Sequence, residues 1–403
     1  MRILLVHQNY PGQFLRIAPA LEQRGHEVMA LTRSDNTRQI SMRHMRYQHE
    51  DINPTGPGAS YMKHAARGGS AARAAQALRD KHGFSPDVIF GHPGWGETLF
   101  LREVWPSARL LTYAEFYYGT EGRDWGFDPE FSQDTLGSRV GLISRQAHLL
   151  QALQQSDAAL SPTNWQASTF PQEYRDRIYV VHDGIDTDLA RPNPDARLTL
   201  KTGQVFNAGD EVLTYVGRNL EPYRGYHTFM RALPEVLARR PNAHAVIVGG
   251  DGVSYGTARA DGVSWKQHML NEVGGNLDMN RVHFTGKLSY PDFISLLQIS
   301  RVHAYLSYPF VLSWSLMEAM SAGCHIVGSD TSPVAEVIHD GQTGQLVDFF
   351  DVPAWSEALV NGLANPRDFD HLRTGARALI KENYDLRTVC LPKLIEFVET
   401  AGA

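Results

Sequence analysis

The chain has 403 residues, 42% of them hydrophobic and 20% charged, with a formal net charge of −6. That length exceeds what one hydrophobic core usually organises, so two domains of roughly 200 residues each are expected. The composition excludes a disordered chain, and without a basic excess it argues against nucleic acid as a partner.

The opening MRILLVHQNYPGQF runs straight into a strand and a glycine turn, without the basic region, long apolar core and small-residue site of a secretory signal. No run approaches the ~20 apolar residues that span a bilayer. A soluble cytoplasmic protein is therefore expected, with peripheral contact to a membrane surface left open. The two cysteines, Cys324 and Cys390, fit neither a zinc site nor a disulfide framework.

In chain order, Arg2 to His7 reads as a strand, Phe14 to Arg24 as a helix that Pro19 should kink, and Glu27 to Leu31 as a second strand. Residues Gln39 to Gly69, rich in His, Arg, Gly and Pro, read as loops. Ala59 to Lys81 is alanine-rich and interrupted by Gly68-Gly69, a solvated helix rather than one lying in a membrane. Strands follow at Asp87 to Gly91 and Arg109 to Thr112. Short apolar strands alternating with amphipathic helices predict a parallel sheet, which makes residues 1–190 one α/β domain.

After Asp188, RPNPDARLTLKTGQVFNAGDE reads as an interdomain linker. Strands then recur at Val212 to Val216, Ala245 to Val248, Val282 to Thr285 and Val302 to Leu306, so 205–380 is a second α/β domain, and residues 381–403 close the chain as a helix. Ligands of such doubly wound sheets sit at the carboxyl ends of the strands.

Chemistry gathers at those ends. In TYVGRNLEPYRGYHTF a strand ends at Gly217, and Arg218 and Arg224 flank the next turn, two cations suited to a diphosphate. The alternative is a pair of solvated arginines neutralised by Glu221. Tyr308 to Val347 reads as a strand exit, a helix capped by Ser313 or Ser315 and ended by Gly323, and a buried strand from His325. The backbone amides of Leu312 to Ser315 would favour an anion. Glu318 on that helix is either a ligand for hydroxyl groups or the second half of a capping box with Ser315.

In the first domain, Gly12 allows close backbone approach to a phosphate. Tyr10, His92, Trp95, Glu115 and Tyr117 place polar and aromatic groups at strand ends, where a polar acceptor would stack and hydrogen-bond. Asp186-Thr-Asp188 has the Asp-x-Asp form but lacks the context of a metal-dependent transferase, so no metal is assigned.

LMEAMSAG followed by SPVAEVIHDGQTGQLV resembles the donor-binding motif of family 4 glycosyltransferases. Gly217-Arg218 and Arg224-Gly225 resemble that family's Gly-Arg and Lys-Gly pairs, and His182-Asp183-Gly184-Ile185-Asp186 resembles its turn out of the first domain. The resemblance implies the GT-B fold, two doubly wound Rossmann-like domains facing across a cleft, with the last helix returning to the first domain. It implies retaining transfer from a UDP- or GDP-sugar to a glycan, glycolipid or small molecule, with no cofactor beyond that co-substrate.

By the same resemblance Arg218 and Arg224 stabilise the leaving diphosphate, and Glu318 takes the nucleotide ribose. Glu336 organises the donor pocket, Gly250 forms a turn beside it, and Lys287 and Leu288 pack against the base. The family's other glutamate, which contacts the donor sugar, would stand eight positions before Glu318, where this chain has Phe310. The sugar would then be recognised through backbone amides and first-domain side chains. A catalytically degenerate binding subunit and a nucleotide-sugar epimerase are the alternatives.

Overall fold

A computed structural model describes residues 1–132 and 134–402. The chain divides into two compact units, Met1–Gly184 with Arg387–Ala403, and Ile185–Leu386.

The first unit is built on strands β1 (Arg2–Val6), β2 (Glu27–Arg33), β3 (His44–Tyr47), β4 (Val88–Gly91), β5 (Arg109–Tyr113), β6 (Ala158–Ser161) and β7 (Ile178–Val180). All are parallel, in the order β3-β2-β1-β4-β5-β6-β7. Ile3 to Val6 are fully buried, as a strand with helices on both faces requires. Ile3 pairs with Val28 on one side and Val88 on the other, so the strand order reverses at β1 and β4.

The helix Leu391–Thr400 belongs to this unit. Its Leu394, Phe397 and Val398 join the core of Ile3, Leu5, Phe14 and Phe90. Arg24 grips Glu399 at 2.8 and 3.0 Å, and Arg109 donates to the terminal carbonyls of Val398, Glu399 and Ala401. A guanidinium on the last carbonyls of a helix satisfies acceptors that have no partner within it.

Several local expectations are corrected. Pro19 causes no kink: a short turn, Gly12–Leu15, precedes a helix that starts only at Ile17, so Pro19 lies in the first turn where its missing N–H is not needed. The stretch expected as loops contains β3 and the start of the helix Ala59–His82, which runs unbroken through Gly68-Gly69. A Cβ on Gly68 would lie 2.5 Å from the carbonyl oxygen of Gly96, so this glycine admits a neighbouring chain rather than ending the helix.

The second unit contains β8 (Arg197–Thr199) and β9 (Val205–Asn207), then β10 (Val212–Asn219), β11 (His244–Gly250), β12 (Val282–Gly286), β13 (Val302–Tyr305), β14 (His325–Ser329) and β15 (Gln345–Val347). The last six form a parallel sheet in the order β12-β11-β10-β13-β14-β15, reversing at β10 and β13. β8 and β9 form an antiparallel hairpin where a linker was expected. Ala196, Leu198, Leu200 and Phe206 bury against Val212, Val246 and Leu296, which makes the segment part of the core.

Several buried histidines are carried neutral inside these layers. Burial pulls His64, His182, His303 and His325 down to about 4 and His148 to about 3, from an ordinary value of 6.5. The unfolded chain binds these protons near pH 6.5 and the folded chain only near pH 4, so stability is lost as pH falls through that window. Each histidine contributes up to about 1.4 kcal/mol per pH unit within it. Urea midpoints should drop steeply between pH 6.5 and 4.5; a flat profile there would contradict the assignment.

Candidate active site

Each sheet reverses order at one pair of strands, and polar residues collect at the carboxyl ends of both pairs. In the second unit the pair is β10 and β13. After β10 the chain makes the turn Pro222–Arg224 and enters the helix Tyr226–Arg239 through Gly225, at φ +63°. A Cβ on Gly225 would sit 2.2 Å from Cβ of Leu306, just past β13. This contact sets the turn against the exit of β13. Gly225→Ala combines a left-handed backbone with overpacking and should destabilise the protein by about 2–4 kcal/mol in urea titration; a loss under 1 kcal/mol would show that the turn relaxes freely.

Held there, Arg224 is only 5% exposed. Its Nη1 donates to Ser307 Oγ at 2.9 Å and to the Tyr305 hydroxyl at 3.3 Å. The guanidinium carbon lies 5.2 Å from the ring centre of Tyr255 and 5.9 Å from that of Phe310. Among the described residues no carboxylate forms an ion pair with it. Neutral oxygens and aromatic faces offset part of its lost hydration, but a buried cation without a counter-charge remains costly. Such a group is poised for an anion.

Glu221 does not neutralise it, contrary to the alternative drawn from sequence. Fully buried, Glu221 accepts from the backbone amides of Ser254, Tyr255 and Gly256 at 2.9–3.3 Å. It thereby holds Tyr255 beside Arg224. Arg218 is exposed and, among the described residues, in no ion pair. The backbone oxygen of Arg218 and Cε of Lys287 both lie within 3.6 Å of where a Cβ on Gly250 would be, so these three residues adjoin.

The helix Trp314–Ala322 is capped by Ser313, whose side chain accepts from the amide of Ser315. The amide of Ser313 donates to the Tyr305 hydroxyl at 2.9 Å, so Tyr305 links Arg224 to this helix start. Leu312 is buried in the core beneath it. Glu318, five residues past the cap where a capping box needs three, does not close one and accepts from the Tyr290 hydroxyl at 2.7 Å. Leu288 packs on the β8–β9 hairpin, and Glu336 is half-buried at the end of the turn Ser332–Ala335. Phe310 packs at 5.0–5.5 Å between ring centres against Tyr255 and Tyr223. An aromatic wall thus stands where the resemblance would place a carboxylate.

In the first unit the pair is β1 and β4, whose exits carry His7 and His92, rings 5.5 Å apart. His92 Nδ1 accepts from the amide of Gly94 at 3.1 Å, so its neutral ring carries the proton on Nε2 and donates to Glu115 Oε2 at 3.3 Å. Gln13 donates to Glu115 Oε1 at 2.8 Å. Both carboxylate oxygens are therefore oriented from the protein side, and the side chain stays 30% exposed. Trp95 stacks on His92 at 4.7 Å. Burial, with the charge of Arg38 nearby, holds His7 well below the usual histidine range.

Gly12, at φ +49°, lies so close that a Cβ would meet His7 Nε2 at 2.5 Å. Tyr10 and Tyr117 are core side chains rather than open acceptor contacts, 3% and 6% exposed, Tyr10 hydrogen-bonded to the Met42 sulfur and Tyr117 packed on Phe170. Asp183, in the turn after β7, accepts from Tyr113 at 2.9 and 3.0 Å. Asp186 accepts from the amide of Leu189 at 3.1 Å.

Sequence reasoning missed Tyr305, Ser307, Tyr255, Tyr290, Gln13 and His7. One signal was available for His7: VHQN, GHPG and VHDG each place histidine at a strand exit, and in each the ring accepts from the amide two residues on, at 3.0–3.1 Å.

Comparison with known proteins bears on the family and the fold. Residues 24–190 match the model "Glycosyl transferase family 4 group" and residues 197–379 match "Glycosyl transferases group 1". The D-inositol 3-phosphate glycosyltransferase of Mycobacterium avium is 28% identical over 190 residues, 47% of this chain and 42% of that protein. The same-named protein of a Nocardioides species is 25% identical over 236 residues, 56% of this chain and 50% of its own. The chain thus spans about half the length of the curated relatives it matches.

Sucrose-phosphate synthase of Thermosynechococcus elongatus superposes with a TM-score of 0.75 at 17% identity, covering 99% of this chain and 98% of that one. Anabaena HepE, solved with UDP-glucose, superposes with a TM-score of 0.69 at 16% identity, covering 99% of both chains. Among the described residues no helix is long and apolar enough to cross a membrane.

Proposed function

We propose, from the premise that this chain belongs to the family 4 glycosyltransferases and has the GT-B fold, that it moves a sugar from a UDP- or GDP-sugar to a polar acceptor, retaining anomeric configuration and acting in the cytoplasm. The observation that carries the proposal is Arg224, a buried cation that has no carboxylate partner among the described residues; Arg218, exposed near the end of β10, is likewise in no ion pair among them. A nucleotide diphosphate supplies the missing charge. As the bond from the sugar carbon to the diphosphate breaks, negative charge grows on the leaving oxygen, and a preorganised guanidinium stabilises it more than it stabilises the substrate. Two arginines in that role leave none that a divalent ion or organic cofactor must fill.

In the second unit the nucleotide runs from Arg224 past the helix start at Ser313 and Ser315 to Glu318. There the ribose hydroxyls donate to the carboxylate now held by Tyr290. Lys287, Leu288, Gly250 and Glu336 surround the remainder of the donor. In the first unit Glu115, oriented by His92 and Gln13, accepts from an acceptor hydroxyl, and Trp95 offers a stacking face. The D-inositol 3-phosphate glycosyltransferases among its relatives put a phosphorylated polyol at the head of the acceptor candidates.

The test is incubation with UDP-, GDP-, ADP- and TDP-sugars, with and without D-inositol 3-phosphate and other polyols. Nucleotide diphosphate released only with an acceptor supports transfer. Binding without release, the outcome expected of a degenerate subunit with Phe310 at the sugar, would overturn it.

A further inference from the structure

At the carboxyl edge of the first sheet, outside the His92–Glu115 pair, two arginines converge on one aspartate. Arg33 is the last residue of β2 and Arg67 lies on the helix Ala59–His82; Arg67 also donates to Gln8, next to His7, at 2.9 Å. Asp51 accepts from Arg67 Nη2 at 2.6 Å and from Arg33 at 3.3–3.5 Å.

The burial is lopsided. Both arginine side chains are 15% exposed and that of Asp51 is 57% exposed, so the acid is laid from solvent onto a fork that the fold has already built. Arg33 keeps a second partner, Asp35, at 2.7 and 2.9 Å, and would not be stranded if Asp51 left. The Nε of Arg67 is buried and has no hydrogen-bond partner. A carboxylate therefore uses only one edge of this guanidinium. A phosphate, with three acceptor oxygens, can take Nε and Nη2 of Arg67 together and still reach Arg33. Beside the fork lies a groove of about 780 Å³ whose polar lining is Gln48, His49, Glu50, Ser70 and Arg73, which offers room and, apart from the carboxylate of Glu50, further donors.

We propose that Arg33 and Arg67 bind the phosphate of an anionic acceptor, and that Asp51 occupies their fork in the free protein as an internal stand-in for that phosphate. The inference rests on the reading that the first unit takes the acceptor, and it names the acceptor's class. Asp51 competes with the ligand, so the apparent affinity is reduced by the fraction of time the fork stands open.

Calorimetric titration of the full chain with D-inositol 3-phosphate, inorganic phosphate and unphosphorylated inositol tests this. Asp51→Asn should tighten binding of both phosphate compounds about tenfold or more and leave inositol unchanged. Adding Arg67→Ala should erase the gain, while the binding of unphosphorylated inositol and the urea midpoint stay as in the parent protein and report a correctly folded first unit. No gain in Asp51→Asn, or a gain that survives Arg67→Ala, overturns the proposal.

Should Asp51→Asn fail to fold, hydrogen exchange on the unaltered protein decides. Saturating D-inositol 3-phosphate should speed exchange of amides in residues 48–58, and an unchanged segment counts against displacement of Asp51. Fork binding without sugar transfer from any donor would overturn only the glycosyltransferase reading. Transfer that is indifferent to the acceptor's phosphate would overturn only the fork.

Discussion

Arg224→Met should lower turnover by about 10²–10³-fold, the usual cost of removing one preorganised charge from a developing anion, and should leave the protein as stable in urea as before or more so. The two effects have one cause. In the free protein Arg224 is buried among Tyr305, Ser307, Tyr255 and Phe310 without a carboxylate partner, so its charge is a liability that methionine, of similar length, removes. Bound diphosphate turns that liability into binding energy. Arg224→Lys keeps the charge but not the planar fork and should fall between the two. Measurements of acceptor-dependent nucleotide release alongside urea midpoints separate the terms. Near-normal turnover in Arg224→Met would sink the leaving-group role, and a large loss of stability would show that the guanidinium is chiefly structural.

Glu318→Gln should weaken UDP binding by about 10–100-fold, the value of hydrogen bonds to a charged acceptor, and raise the donor KM with a smaller effect on kcat. The substitution keeps the shape of a 9% exposed side chain and one acceptor oxygen, so folding is spared. Tyr290→Phe should change UDP affinity far less, because the phenol donates to Glu318 only where the ribose would. Calorimetric UDP titration reads both variants. Unaltered affinity in Glu318→Gln would place the ribose elsewhere.

Much of the fold was legible in the chain because burial on both faces writes strands of a parallel sheet as short apolar runs. Ile3 to Val6 and Val212 to Tyr215 are buried almost completely, and the runs read from sequence overlap them. The linker reading of the segment after Asp188 failed for a related reason. Prolines and glycines signal turns, and here they border a hairpin whose alternate residues Leu198 and Phe206 face the core. Gly68 misled in the same way, since composition cannot tell a glycine that ends a helix from one that lets Gly96 approach it.

What the sequence alone determined about this protein is the order of most of its elements, since strand exits and helix starts are written in local residue patterns; Arg218, Arg224 and Glu318 stood out in it as expected donor contacts, Glu318 through its resemblance to the family motif. The tertiary structure decided the state of those groups. That Arg224 is buried without a counter-charge depends on Ser307, 83 positions away, which reaches it only because β10 and β13 are neighbours in the sheet. Glu221, three residues from Arg224, turns instead to the amides of Ser254 to Gly256, which lie beyond the intervening helix and β11. Charge and burial are set by neighbours in space, and those neighbours are chosen by strand order, which no local pattern of residues encodes.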